Sequence, residues 1–156
     1  MTVAEATALA ERLRAAGRRI VLANGCFDLL HVGHVRYLEG ARRLGDVLFV
    51  GVNSDRAVTR LKGAGRPLMP AEERVELLAA LRAVDHVVVF DDDTADALVR
   101  AIKPTVHAKG TDYTEATVPE QATARAVGAT TAITGDPKRH ATRDVIATIV
   151  ERFGHR

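Results

Sequence analysis

Short apolar runs alternate with helix-like segments along the whole chain, and this alternation places the fold in the α/β class. The runs are almost continuous in Val, Ile, Leu and Ala, a pattern typical of strands buried on both faces of a parallel sheet. They span residues 19–23, 46–52, 85–90, 104–108 and, more weakly, 130–133. Together they predict a doubly wound parallel sheet with helices on both faces and right-handed crossovers.

The segments between the runs have helical spacing and recognisable ends. Gly17 and Gly45 follow two of them, where a glycine commonly ends a helix. Pro70 and Thr94 begin two others, since proline suits the first turn and threonine can cap it. The predicted helices span residues 3–16, 34–44, 70–83, 94–102, 119–127 and 142–153.

Length and composition fit a single domain over residues 1–156, and 47% apolar with 27% charged residues excludes a disordered chain. No apolar run approaches the roughly 18 residues of a membrane span, and the N-terminus does not resemble a signal peptide. Cys26 is the only cysteine, so we expect no internal disulfide and a reducing, cytoplasmic location. A net charge of +2 and 4% aromatic residues favour a small anionic ligand over nucleic acid.

The segment from Asn24 to His34 lies between the first predicted strand and the next helix, where open α/β sheets bind ligands. Gly25 permits close backbone approach, and the N-terminus of the helix can hold a phosphate. His31 and His34 share a face if the first turn is helical, and Gly33 keeps that surface open. We interpret the segment as a phosphate-binding turn in which both imidazoles donate hydrogen bonds to phosphate oxygens.

Other interpretations of the same residues are a zinc pair, surface histidines and a cysteine nucleophile. No third ligand stands at a convincing spacing from His31 and His34, which disfavours zinc. No base stands beside Cys26 in the sequence, so a small buried thiol is the favoured interpretation of that residue.

The turn resembles the signature of the cytidylyltransferase-like nucleotidyltransferases: Asn24-Gly25-Cys26-Phe27-Asp28 followed by His31-x-Gly33-His34. From about Arg12 to Phe153 the chain is most similar to the adenylyltransferases that make ADP-heptose from a heptose 1-phosphate. That resemblance implies a Rossmann-like fold, transfer of AMP from ATP to a sugar 1-phosphate, and a homodimer. Those enzymes are often fused to a sugar kinase, and because this sequence has no kinase half we expect a stand-alone transferase.

The resemblance also implies which residues act. His31, His34 and Lys62 would be catalytic, with Lys62 holding phosphates during transfer. The nucleotide would be bound by Gly25, Cys26, Phe27, Gly33, His34, Lys62, Arg66, Thr142 and Arg143. The acceptor would be bound by Asn53, Arg74, Lys109, Gly110, Asp112 and Tyr113.

Several of these assignments have plain alternatives. The basic stretch 60–67 could be a solvated loop, Arg74 an exposed helix arginine, and Asp112 a turn residue. The last helix departs from the family pattern, because a Ser-Thr-Thr run is replaced by Ala141-Thr142-Arg143. Only Thr142 keeps a hydroxyl there, and Arg143 adds a cation at the helix N-terminus, so the nucleotide and the acceptor stay open.

Little base catalysis is needed, since the second pKa of a sugar phosphate is about 6. We therefore expect the histidines to stabilise charge, with Mg²⁺ arriving on the triphosphate and no dedicated protein site for it. Alternatives are transfer to glycerol 3-phosphate, use of CTP or GTP, and a non-catalytic nucleotide-binding module. A response-regulator-like domain would need acidic strand ends, but we interpret Asp91-Asp92-Asp93 as a solvated turn that caps the Thr94 helix.

Overall fold

In residues 1–137 and 139–154, which this computed structural model describes, five parallel strands form one sheet. Its order is β3-β2-β1-β4-β5, with β1 in the centre between β2 and β4. The strands are β1 (Ile20–Gly25), β2 (Val47–Asn53), β3 (His86–Phe90), β4 (Val106–Lys109) and β5 (Thr130–Ile133). The predicted doubly wound parallel sheet is confirmed, including its weakest strand.

Helices connect the strands and cover both faces. They are α1 (Val3–Ala15), α2 (Val32–Arg42), α3 (Asp55–Lys62), α4 (Ala71–Ala79), α5 (Asp96–Ile102), α6 (Gln121–Ala126) and α7 (Thr142–Phe153), with one 3-10 turn at Glu115–Thr117. The helix α3 was not predicted from the sequence. It begins where the Ser54 hydroxyl accepts a hydrogen bond from the backbone N–H of Ala57 at 3.1 Å.

Most predicted helix ends lie within two residues of the observed ones, and two of the differences have a clear physical reason. The helix predicted to reach residue 83 ends at Ala79, because the next residues turn toward β3. Thr94 does not cap α5, since Ala95 occupies that position without a side-chain hydrogen bond. The Thr94 hydroxyl instead donates to the Asp96 carboxylate at 2.7 Å.

The core has two layers because neighbouring residues of a strand point to opposite faces of the sheet. On one face Ile20 and Leu22 pack in a cluster with residues of α1 and α5. On the other face Val21 and Leu48 pack with residues of α2 and α4. All four side chains are fully buried, which explains why the strands have no polar alternation.

The terminal helix α7 has no buried residue, and its apolar side chains Val145, Ile149, Val150 and Phe153 are 37–58% exposed. Its N-terminal end is nevertheless held to the body, because the Thr142 hydroxyl donates to the carbonyl of Leu29 at 3.0 Å. Within the described part of the chain, no helix is long and apolar enough to cross a membrane.

Candidate active site

A cleft of about 590 Å³ opens at the carboxyl ends of the central strands, within the size range of small-molecule sites. In this strand order β2 and β3 lie on one side of β1, and β4 and β5 lie on the other, so the order reverses at β1. Open α/β sheets bind ligands at such a reversal, outside the carboxyl ends of the strands. Of the predicted site residues, the cleft gathers Gly25, Cys26, Phe27, His31, Gly33, His34, Asn53, Lys62, Arg66, Lys109, Gly110, Asp112, Tyr113, Thr142 and Arg143. Arg74 does not line it.

His31 and His34 begin α2 with a reciprocal cap. Nδ1 of His31 accepts the backbone N–H of Gly33 at 3.1 Å, and Nδ1 of His34 accepts the N–H of His31 at 3.2 Å. A neutral imidazole whose Nδ1 accepts a hydrogen bond carries its proton on Nε2. The hydrogen-bond pattern therefore assigns an Nε2–H donor to each ring, and the two rings stack with centroids 3.8 Å apart.

Both rings are neutral in this environment. Burial, together with the neighbouring His31, lowers the pKa of His34 to about 4. Burial and His140 also lower the pKa of His31. At neutral pH the pair consists of uncharged hydrogen-bond donors, which supports stabilisation of phosphate charge rather than base catalysis.

Gly33 and Phe27 shape the surroundings of the two imidazole rings. A Cβ on Gly33 would lie 2.9 Å from Cε1 of His31 and 3.3 Å from Cβ of His140, so any larger residue would displace the His31 ring. Phe27 packs edge-on against His34 with ring centroids 5.2 Å apart. The spacing His-x-Gly-His is thus a steric requirement of the cap.

Asp28 was not assigned a role from the sequence, yet it anchors the loop that follows α3. Its buried carboxylate accepts hydrogen bonds from Arg66 Nε at 3.0 Å, from the N–H of Leu68 at 2.7 Å and from the N–H of Met69 at 3.0 Å. Burial alone would raise the pKa of Asp28, but these bonds lower it below its ordinary value. Arg66, predicted to bind the nucleotide, is therefore held in the cleft by Asp28.

Replacing Asp28 with Asn is expected to loosen this loop, because an amide can accept fewer of the three hydrogen bonds and carries no charge for Arg66. Amide hydrogen exchange of Leu68 and Met69 should become about 10- to 100-fold faster. Exchange of the β1 amides, which lie in the sheet, serves as the control. Unchanged exchange at Leu68 and Met69 would contradict the anchoring role.

Arg74 is a buried support rather than an exposed helix arginine, so that alternative is wrong. Its side chain is 0% exposed, and its Nη1 donates to the carbonyls of Cys26 and Asn53, each at 2.8 Å. Nε donates to the carbonyl of Met69 at 3.0 Å, and Nη2 pairs with Asp55 at 2.7 Å. Arg74 thus joins the residues at the ends of β1 and β2 from behind the cleft, with no contact to the space a ligand would occupy.

The basic stretch after β2 is partly helical, which corrects its prediction as a loop. Lys62 lies in the last turn of α3, exposed and at the edge of the cleft. Arg60 pairs with Asp93 at 2.8 Å, and Asp91 accepts hydrogen bonds from Ser54 and Arg56. The acidic turn after β3 is exposed, as predicted, and its carboxylates also pair with two cations of α3.

Cys26 and Asn53 contact each other beneath the first turn. The Cys26 thiol donates to the Asn53 side-chain oxygen at 3.6 Å, and the Asn53 amide donates to the carbonyl of Asp92 at 3.3 Å. Burial raises the pKa of Cys26, although nearby cations oppose it. These features support an unreactive thiol that lines the cleft.

Lys109 at the end of β4 supplies a buried cation. Its Nζ lies 3.9 Å from the Glu120 carboxylate and 4.6 Å from the centroid of the Tyr113 ring. Burial lowers the pKa of Lys109, and Glu120 opposes that shift. Glu120 was missed from the sequence, where a glutamate after a proline has no distinctive pattern.

At the opposite wall, Arg143 is 78% exposed on its side chain and Ala141 gives α7 no side-chain cap. The Thr142 hydroxyl is already a donor to Leu29, so toward a ligand it can act only as an acceptor or after rearranging.

Among residues 1–137 and 139–154, no group of three or more His, Cys, Asp or Glu side chains is arranged to hold a metal ion. Asp28, the carboxylate in the first turn, is engaged by Arg66 and two amides. The described side chains therefore do not fit a dedicated Mg²⁺ cage.

A family model described as cytidylyltransferase-like matches residues 22–148 of this chain, from the middle of β1 into α7. The chain belongs to the cytidylyltransferase-like family. Membership confirms the resemblance drawn from the first turn and the predicted enzyme class, a nucleotidyltransferase.

Individual relatives of this cytidylyltransferase-like domain agree. The bifunctional protein HldE of Pelobacter propionicus is 46% identical over 145 residues, which cover 93% of this chain and 30% of that protein. The bifunctional protein HldE of Methylobacillus flagellatus is 58% identical over 99 residues, covering 64% of this chain and 20% of that protein. The chain thus spans less than a third of these relatives.

A solved structure also matches the cytidylyltransferase-like fold. It is a lipopolysaccharide core biosynthesis protein from Thermoplasma volcanium, 29% identical, with a TM-score of 0.65. The alignment covers 77% of this chain and 98% of that one, so the two share the fold over almost all of the smaller protein.

Proposed function

We propose that this chain transfers AMP from ATP to a sugar 1-phosphate, specifically a heptose 1-phosphate, and releases pyrophosphate. The observation that carries the proposal is the reciprocal cap of His31 and His34, which leaves two neutral Nε2–H donors in a cleft at the carboxyl end of β1. Similarity to bifunctional HldE proteins and to a lipopolysaccharide core biosynthesis protein supports a sugar acceptor.

In the proposed reaction a phosphate oxygen of the acceptor attacks the α-phosphorus of ATP. A bond forms between that oxygen and phosphorus, and the bond from the α-phosphorus to the bridging oxygen breaks, so pyrophosphate leaves with the electron pair. The acceptor phosphate is largely ionised at neutral pH because its second pKa is about 6. No general base is needed, which fits histidines whose Nδ1 atoms are already engaged.

Catalysis then consists of alignment and of stabilising negative charge. His31 and His34 donate Nε2–H groups to oxygens of the α-phosphate. Lys62 and Arg66, which line the cleft, bind the departing phosphates. Mg²⁺ would enter with the triphosphate and would supply further charge neutralisation there.

The test is a matrix of four nucleoside triphosphates against heptose 1-phosphates and glycerol 3-phosphate, with Mg²⁺ present and pyrophosphate measured. Release with ATP and a heptose 1-phosphate alone is the expected result. Release only with CTP or GTP, or only with glycerol 3-phosphate, would replace the proposed substrates. Nucleotide binding without pyrophosphate release from any pair would identify a non-catalytic binding module.

A further inference from the structure

Glu120 is a buried carboxylate with one oxygen left over. The residue precedes α6, lines the cleft and has a side chain that is only 3% exposed. Its Oε1 accepts the backbone N–H of Ala95 at 3.0 Å. Its Oε2 is buried and has no hydrogen-bond partner among the described residues. A buried acceptor without a donor is unfavourable, so this oxygen is suited to a donor that enters with a ligand.

The ammonium group of Lys109 lies near Oε2 of Glu120 without bonding to it. Nζ of Lys109 lies 3.9 Å from Oε2, which is too long for a hydrogen bond. An oxygen atom about 2.8 Å from both would complete a bent bridge between them. Lys109 can only donate to that atom and ionised Glu120 can only accept from it. The missing group must therefore both accept and donate, as a hydroxyl does.

Other ligands fit this gap poorly. A phosphate oxygen would accept from Lys109 but would be repelled by the carboxylate of Glu120. A divalent cation would face Lys109, and no cluster of three acidic, His or Cys ligands exists in the described ranges. His107 also has a buried nitrogen without a partner, but it does not line the cleft.

We propose that Glu120 and Lys109 together bind a sugar hydroxyl of a substrate, and that Glu120 makes the enzyme select for that hydroxyl. The inference rests on the proposed function, because both the acceptor sugar and the ribose of the nucleotide carry such groups. Glu120 is then a specificity-determining residue, and it takes no part in the displacement of pyrophosphate.

The experiment compares the parent enzyme with Glu120→Gln, whose oxygen can still accept the Ala95 N–H while its NH₂ replaces the accepting Oε2. Each enzyme is assayed with intact substrates, with monodeoxy acceptors, and with 2′-deoxy- or 3′-deoxy-ATP. Glu115→Gln is the matched control, because Glu115 is exposed in the same connection and does not line the cleft. KM and kcat are measured for each substrate.

For the parent, removal of one hydroxyl should raise the KM of that substrate about 10- to 100-fold. Glu120→Gln should raise the KM of the same intact substrate by a similar factor and show no further rise with its deoxy analogue. The KM of the other substrate should change less than about threefold, and Glu115→Gln should match the parent. A deoxy acceptor or a deoxy-ATP as the sensitive analogue identifies which sugar is bound.

Equal KM increases of Glu120→Gln for intact and deoxy substrates would show a structural role and overturn the inference. Unchanged KM values in Glu120→Gln would also overturn it, because the gap would then hold only a water. If Glu120→Gln does not fold, the measurements on the parent enzyme still test the inference. It is overturned if no deoxy analogue has a KM at least tenfold above that of the intact substrate. No pyrophosphate release by the parent with any pair would contradict the proposed function and this inference with it. Release by the parent without hydroxyl dependence contradicts the inference alone.

Discussion

Replacing His34 with Asn is expected to lower kcat by about 100- to 1,000-fold and to leave the fold intact. The Asn Oδ1 stands where Nδ1 of His34 accepts the N–H of His31, so the cap of α2 can persist. The Nε2–H donor is lost, and with it a hydrogen bond that strengthens as charge develops on the α-phosphate. The measurement is steady-state pyrophosphate release together with the urea midpoint of unfolding.

His34→Gln is the matched control for this prediction. Its terminal amide places an N–H near the position of Nε2, so part of the lost kcat should return, although the Nδ1 acceptor of the cap is then missing. The two variants therefore separate the donor from the cap. Pyrophosphate release at the parent rate by His34→Asn would remove His34 from the proposed mechanism.

Most of the fold was predictable because its signals are local. A strand buried on both faces must be apolar throughout, and the run that gives β2 is fully buried over Val47–Asn53. The terminal helix was predicted with the ends it has, Thr142 and Phe153. The failure was α3, whose 8 residues include three cations and lead into glycines that suggest a loop. Its partners lie far along the chain, because Arg56 pairs with Asp91 and Arg60 with Asp93.

The candidate site also has one part that was predictable from the sequence and one part that was not. The histidine turn could be predicted because strand end, glycine, histidines and helix start all lie within Asn24–His34. Its supports could not be predicted, because they join residues distant in sequence. Asp28 and Arg66 are 38 residues apart, and Glu120 reaches Ala95 across 25 residues. No local pattern distinguishes such partners from ordinary surface charges.

Arg74 is the strongest case of a distant support, and its replacement by Met is expected to destabilise the protein by about 3–5 kcal/mol. Met preserves most of the apolar volume but donates no hydrogen bond. The carbonyls of Cys26, Asn53 and Met69 would lose the donor that the fully buried Arg74 gives them. Urea unfolding should show a lower midpoint with an unchanged slope, because the surface exposed on unfolding stays the same.

Arg82→Met is the control, since Arg82 is exposed just beyond α4 and its loss should change stability by no more than about 0.5 kcal/mol. In Arg74→Met the ends of β1 and β2 lose their shared support, so the first turn and Asn53 should shift together and KM should rise for both substrates. A direct contact with the acceptor phosphate would act differently, raising KM for the acceptor alone at parent stability. That result would return Arg74 to the substrate-binding role that the sequence resemblance implied, and would require Arg74 to leave its buried position when the acceptor binds.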